Sequence, residues 1–431
     1  MGLFDDEDVP PHLPCACSTS HLGLVCRWPE SKLRWPLDVR DSDVQLSGDS
    51  LKGKTVHLVV TGGIAAVETV RLSRELRRHG AEIVVTMTSE ATKIISPLAV
   101  GWATGSEVNT GWSSDLPGLA VPDLVLVAPA TRNTLSKICS GVMDDPAMMA
   151  IAAASGAGKT ILLVPSMHDD LFDDAVTRDL LEKIRSMGYK VLVSPSEEGR
   201  RKQPSPSNIV RFAAAAINQN LPNRANVAVI YGATESPIDP VRVISNKSSG
   251  KTGMQISDYL ERMGHDVTRI SGAVEASGVQ PDIIARTPQE MVDVVGDVMV
   301  ESAPDVWIVA AAVLDFQPAH ASTEKLSSSE TPAPVALEPA PRLIESIRFS
   351  DPDARIISFK LESRIGVGEL ISRAKSHMGR CHSDAVVANL LENLDGSGPR
   401  AHLVTSDDVD EIYDLEHLCT SIESIVSGWM E

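Results

Sequence analysis

The chain has 431 residues, 43% of them hydrophobic, which suits two or three domains with full apolar cores. A formal net charge of −19 argues against a nucleic-acid partner, whose phosphates need clustered Lys and Arg, and leaves small anions to local positive pockets. No apolar run reaches about 18 residues, so no membrane span is expected. MGLFDDEDVPP lacks the basic and apolar regions of a secretory signal. Six cysteines in so long a chain make no disulfide framework, and the expected compartment is the cytosol.

Residues 1–50 carry Pro, Asp and Ser without apolar periodicity and read as a partly disordered N-terminal extension. Cys15, Cys17, His21 and Cys26 lie there at a spacing that fits no standard zinc motif, and read as loosely held side chains. From Lys52 the pattern changes. KTVHLVV is a buried-strand run, TGG a tight turn, and IAAVETVRLSRELRRHG an amphipathic helix with a Gly stop. AEIVVTMT, DLVLVAPA, TILLVPS and YKVLVSPS follow as strands separated by helices or loops. This alternation predicts a parallel sheet covered on both faces over residues 51–197.

Residues 198–224, EEGRRKQPSPSNIV and onward, read as a linker or ordered arm. A second alternation occupies 225–431, with strands at NVAVIYGAT, HDVTRISG, DVWIVAAAV, ARIISFKL, DAVVANL and AHLVTSD. Helices are expected at about 250–264, 288–300, 366–378 and 408–428, and SSSETPAPVALEPAP as a mobile loop. Both halves are α/β and doubly wound. They are not repeats of one sequence.

Three features of the first half lie beyond strand ends, where open α/β sheets hold ligands. Thr61, Gly62 and Gly63 form a strand-to-helix turn whose N–H groups and helix dipole favour an anion, although such glycines also serve plain turns. APATRNTLSKICSG places Thr131, Asn133 and Thr134 after a strand, as ligands or as an ordinary helix cap. Pro165-Ser166-Met167-His168 follows the next strand, and His168 is a candidate substrate ligand or proton carrier.

Together these resemble the phosphopantothenoylcysteine decarboxylases, which are flavodoxin-like FMN proteins. WATG, GVMDDP and PSMHDDLF extend the match, and PSMH looks most like archaeal members. The resemblance implies that Thr61–Gly63 holds the FMN phosphate, that Thr131, Asn133 and Thr134 hold the flavin, and that His168 meets the substrate. It also implies decarboxylation through transient oxidation to a thioaldehyde. The family's upstream catalytic His is missing, since GWSSDLPGLAVPDLV stands there and no His occurs between His79 and His168. Slow or absent decarboxylation at neutral pH is therefore expected, unless His168 takes the base's role.

In the second half, SPIDPVRVISNKSSGKTGMQISDYL sets Arg242, Asn246, Ser248, Ser249, Gly250 and Lys251 around a helix start. Hydroxyls, Gly and Lys there make an anion cradle, without the spacing of a P-loop. A strand then ends at Asp315, and Lys325 follows ten residues later on a loop, where it can close over phosphate charge. DPVRVISNKSSGKTG, AAAVLDFQP with EKL, SFKLES and DAVVAN recur in this order in CTP-using phosphopantothenate–cysteine ligases, which this half resembles with a Rossmann-like ligase domain. The resemblance implies Arg242 and Asn246 as substrate and intermediate binders, Asn246 and Lys325 as catalytic, and Asp315, Phe359 and Asn389 as nucleotide contacts. EKLSSS in place of EKIKK, GAT in place of GGT and APR in place of NPD depart from the pattern.

The combined reading is a bifunctional protein of coenzyme A synthesis, with phosphopantothenate, cysteine, CTP, Mg²⁺ and FMN as substrates and cofactors, assembled as a homo-oligomer. Two alternatives stand beside it. One keeps the ligase and makes the flavin domain a decarboxylation-impaired scaffold. The other is a non-enzymatic regulatory flavoprotein subunit.

Overall fold

The computed structural model describes residues 41–112, 122–274, 279–327, 334–396 and 398–431. The cysteines and His21 of the extension, and most of the stretch that lacks the upstream His, lie outside them. Six strands build the first sheet: β1 (Thr55–Val60), β2 (Glu82–Met87), β3 (Val108–Asn109), β4 (Leu124–Ala130), β5 (Thr160–Pro165) and β6 (Lys190–Val191). Their order is β3-β2-β1-β4-β5-β6, all parallel. Without the two-residue edge strand β3, that is the flavodoxin order, and it reverses between β1 and β4. Both are buried along nearly their whole length, as a sheet covered on both faces requires.

The second sheet holds β7 (Asn226–Tyr231), β8 (Asp266–Ser271), β9 (Ile283–Ile284), β10 (Val306–Val309), β11 (Arg355–Glu362), β12 (Ala385–Leu390), β13 (Ala401–Val404) and β14 (Val409–Ile412). The order is β9-β8-β7-β10-β11-β12-β13-β14, with its reversal between β7 and β10. The run from β9 to β12 is parallel, and β13 and β14 are antiparallel.

Several sequence expectations change. The final helix, expected from about residue 408, is Leu415–Gly428, because Val409–Ile412 turns back on β13 as a hairpin strand and Asp414 caps the helix. YKVLVSPS pairs in the sheet only at Lys190–Val191, while Ser196–Glu197 joins Arg200–Arg201 and Met167–His168 in a small antiparallel ribbon. Part of the loop expected to be mobile is ordered, since Leu337–Pro339 pairs with Phe316–Pro318. A helix at Leu343–Ser350 was not read from sequence.

The segment 198–224 contains the helix Pro206–Asn218, capped by Ser205, with Ile209, Val210, Ala213 and Ala214 buried in the first half's core. The same helix packs on the helix Lys251–Arg262 of the second half. Asn218 donates through Nδ2 to the carbonyls of Ser50 and Arg262, both at 2.8 Å. Gly264 is forced here: its φ is +95°, and a Cβ would lie 2.3 Å from the Asn218 backbone. Beside it, Glu261 accepts from both Arg211 and Arg269.

Inside the first core, His57 is 1% exposed, with Nε2 at 2.9 Å from the Thr86 hydroxyl and Nδ1 without a partner. Burial lowers its pKa from 6.5 to about 4. As pH falls below 6.5 the unfolded chain takes the proton first, so stability present at neutral pH is lost toward pH 4. By about pH 5 the loss from this one group is on the order of 2 kcal/mol. Chemical denaturation at about pH 7.5 and pH 5 is expected to show a smaller drop for His57→Leu than for the wild type, by that amount. Equal drops would remove His57 from the account.

Candidate active sites

Each sheet reverses its order once, and both candidate sites lie at the strand ends flanking that reversal, where a crevice opens. In the first half these are the ends of β1 and β4. The Thr61 hydroxyl is buried and occupied: it donates to the Pro129 carbonyl at 2.8 Å and accepts from the Thr131 N–H at 3.2 Å. Thr61 therefore ties β1 to β4, leaving its backbone, not its side chain, to an anion. A Cβ on Gly62 would lie 2.4 Å from Cβ of Glu90, so no side chain fits there. A Cβ on Gly63 would touch Pro129 and Thr131 at 3.4 Å.

Thr131 is the N-cap of the helix Arg132–Ser140, accepting from the Thr134 N–H at 3.3 Å, with the two hydroxyls 2.9 Å apart. The capping reading and the ligand reading thus meet in one segment. Asn133 in the first turn is exposed. The turn carries no side chain at Gly62 or Gly63 and stands beside a capped helix start, which suits the phosphate of a planar cofactor, while the Gly63 N–H itself donates to the Thr61 carbonyl at 2.8 Å. His168 is exposed after β5 and paired with Arg200 in the antiparallel ribbon.

In the second half, eight of the residues singled out from sequence line one cavity of about 760 Å³: Asn246, Ser248, Ser249, Gly250, Lys251, Asp315, Phe359 and Asn389. Its floor is the N-terminus of the helix Lys251–Arg262, whose unpaired N–H groups and dipole favour an anion by ~1 kcal/mol, and up to ~2 where partly buried. Gly250 caps that helix at φ +72°, a conformation that costs other residues about 1–2 kcal/mol. Gly253 sits so close to Tyr231 that a Cβ would lie 2.4 Å from the Tyr231 Cβ. These two glycines press the helix start against the end of β7. Asn246 is aimed from the opposite wall, donating to the carbonyls of Ala312 and Val313, each at 3.1 Å.

Arg242 and Lys325 are not among the lining residues. They lie beside one another instead: the Arg242 guanidinium donates to the carbonyl of Leu326, next to Lys325, at 3.3 Å. Asp315 is exposed and 3.3 Å from Arg342, which stands in the APR departure from the family pattern. Arg342, Lys360, His377, Cys381 and Arg400 also line the cavity and were missed from sequence. Arg400 carried a signal, since it precedes the strand AHLV, but nothing local placed it 3.5 Å from Thr252 at the helix start. Burial, with Lys360 and Arg380 nearby, lowers the pKa of His377.

The flavoprotein family profile matches residues 45–218, and that of the DNA/pantothenate metabolism flavoprotein C-terminal domain matches residues 223–415. The coenzyme A biosynthesis bifunctional protein CoaBC of Thermococcus kodakarensis is 36% identical over 350 residues, spanning 79% of this chain and 86% of the relative. The chain belongs to this bifunctional family. CoaBC of Methanocaldococcus jannaschii is 33% identical over 351 residues, covering 79% of this chain and 84% of the relative. CoaBC of Escherichia coli is 32% identical over 304 residues, 65% of this chain and 72% of the relative. Flavodoxin-like and Rossmann-like halves are thus the family's two domains in sequence order. Among the described residues, no helix is long and apolar enough to cross a membrane.

Proposed function

We propose that the second half ligates 4′-phosphopantothenate to cysteine with CTP, and that the first half decarboxylates the product to 4′-phosphopantetheine with FMN. The observation that supports the ligase most is the convergence of Asn246, Ser248–Lys251, Asp315, Phe359 and Asn389 on one cavity over a helix N-terminus. The substrate carboxylate attacks the α-phosphorus of CTP, forming an acyl-cytidylate as the Pα–O bond to pyrophosphate breaks. The cysteine amine then attacks the acyl carbon, CMP leaves, and the nitrogen gives up a proton. The Ser248–Lys251 cradle and Lys325 offset phosphate charge, while Arg242 and Asn246 orient the substrate and the intermediate. Among the described residues, no group of three or more His, Cys, Asp or Glu is placed to hold a metal. Mg²⁺ is assigned to the nucleotide's own phosphates, its usual partners, with Asp315 and Glu345 as the carboxylates that line the cavity.

In the first half, FMN supplies the redox chemistry when bound. The backbone of Thr61–Gly63 is assigned to its phosphate, the Thr131–Thr134 segment with Asn133 to its ring system, and His168 to proton transfer at the substrate. For the assembly, the family resemblance is what supports a homo-oligomer. Family membership does not favour an impaired flavin scaffold or a non-enzymatic subunit.

The test is incubation of purified, yellow protein with phosphopantothenate, cysteine, CTP and Mg²⁺, followed by mass analysis. Phosphopantothenoylcysteine and CMP are expected first, then 4′-phosphopantetheine and carbon dioxide, with ATP a poorer nucleotide. No amide product, or a preparation that binds no FMN, would sink the corresponding half of the proposal.

A further inference from the structure

Asp239 is a buried carboxylate that none of the steps above uses. The residue is 2% exposed. Its Oδ1 accepts from the N–H groups of Val241 at 2.8 Å and Arg242 at 2.7 Å. Its Oδ2 accepts from the Arg242 guanidinium and from the N–H of Leu326 at 3.2 Å. Burial alone would push the carboxyl pKa up, but these donors outweigh it and hold the value at about 2.

The geometry around it has a pattern. Leu326 directly follows Lys325, and both of its main-chain polar groups are held: the N–H by Asp239 itself, the carbonyl by the guanidinium that Asp239 holds. On the other side of Lys325, the Ser322 N–H donates to the carbonyl of Ile238 at 2.9 Å. Segment 322–326 is therefore pinned to segment 238–242 on both sides of the lysine. A charged side chain on a free loop would lose that freedom each time it met a phosphate. Here the backbone beneath it is already fixed, and one carboxylate also aims the neighbouring guanidinium.

We infer that Asp239 is a positioning residue for ligation, fixing the Lys325 loop and the Arg242 guanidinium relative to one another so that both meet the reacting nucleotide and acid together. The inference rests on the assignment of Lys325 to the ligase step, and the experiment separates the two. Asp239→Asn preserves volume and one acceptor, but it places an NH₂ against the Leu326 N–H or the guanidinium, which cannot accept from it.

The full chain is assayed for amide formation at saturating CTP, with flavin absorbance and melting as checks of the fold. Asp239→Asn is expected to lower kcat at least tenfold. In a background carrying both Lys325→Gln and Arg242→Gln the same change should cost less than threefold, because both groups it positions are gone. A merely structural aspartate would lose the same factor in both backgrounds, and that result overturns the inference while leaving the role of Lys325 intact. A Lys325→Gln enzyme with full rate would overturn both. If Asp239→Asn fails to fold, Leu326→Pro removes the loop's N–H donor, with Leu326→Ala as the control for the lost side chain, and the same non-additivity in the Lys325→Gln, Arg242→Gln background is required. An additive loss, or none, overturns the inference.

Discussion

Lys325→Gln is expected to slow ligation by about a hundredfold or more, on the order of 3 kcal/mol, while flavin binding and melting stay as in the wild type. The size follows from the charge that builds on the phosphates as the acyl-cytidylate forms. A cation fixed beside that charge counts for more than one in water, because its solvent shell need not rearrange. The lack of effect on folding follows from exposure: Lys325 projects from an anchored loop, and removing an exposed charge typically shifts stability by less than about 0.5 kcal/mol. Single-turnover formation of the amide at saturating CTP is the measurement. A wild-type rate would return Lys325 to the surface and leave the phosphates to cations that line the cavity, Lys251, Arg342, Lys360 and Arg400 among them.

His168→Asn is expected to lower decarboxylation of supplied phosphopantothenoylcysteine by about 10²–10⁴-fold, without touching ligation. No other histidine lies between His79 and His168, and His79 is buried at the junction of the halves. Burial, with Arg262 nearby and against Glu75 and Asp49, lowers the His79 pKa to about 4, which removes it as a proton carrier near neutrality. A carboxylate of ordinary pKa, about 3.9, is a poor base there too. Imidazole is the side chain whose ordinary range matches the task, and His168 is exposed beyond β5. Carbon dioxide release from the isolated intermediate is the readout. Unchanged release would move the proton transfer to another residue.

Legibility differed between the kinds of feature. The β1 strand, its TGG turn and the helix start at Gly250 could all be read in the chain, because each is a local pattern: a continuous apolar run, glycines where no Cβ fits, polar residues at a helix N-terminus. The helix Pro206–Asn218 was legible in principle. Ser205 is its cap, Pro206 its first residue, and Ile209, Val210, Ala213 and Ala214 recur at helical spacing. The charged and Pro-rich run ahead of it led to a linker reading. Val409–Ile412 was hidden for another reason: four residues beside a helix become a strand only because β13 offers them an edge. The pairings of Asp315 with Arg342, and of Asp239 with Leu326, join residues far apart in the chain, and no spacing rule reports them. The same holds for Thr61, whose hydroxyl is spent between two strands.

The helix Pro206–Asn218 belongs to the first core, yet through Asn218 and Arg211 it grips the helix on which the second cavity stands. Unfolding of either half would strip partners from the other, so the melting of one is thermodynamically linked to the melting of the other. Under such linkage, anything that binds only the native first half raises that half's stability by RT ln(1 + [L]/Kd), and the second half shares in it up to the free energy of the contacts between them. Flavin then acts as a chaperoning ligand for a ligase that never uses it. Scarcity of one cofactor would lower the standing amount of both activities together, with no change to either active site.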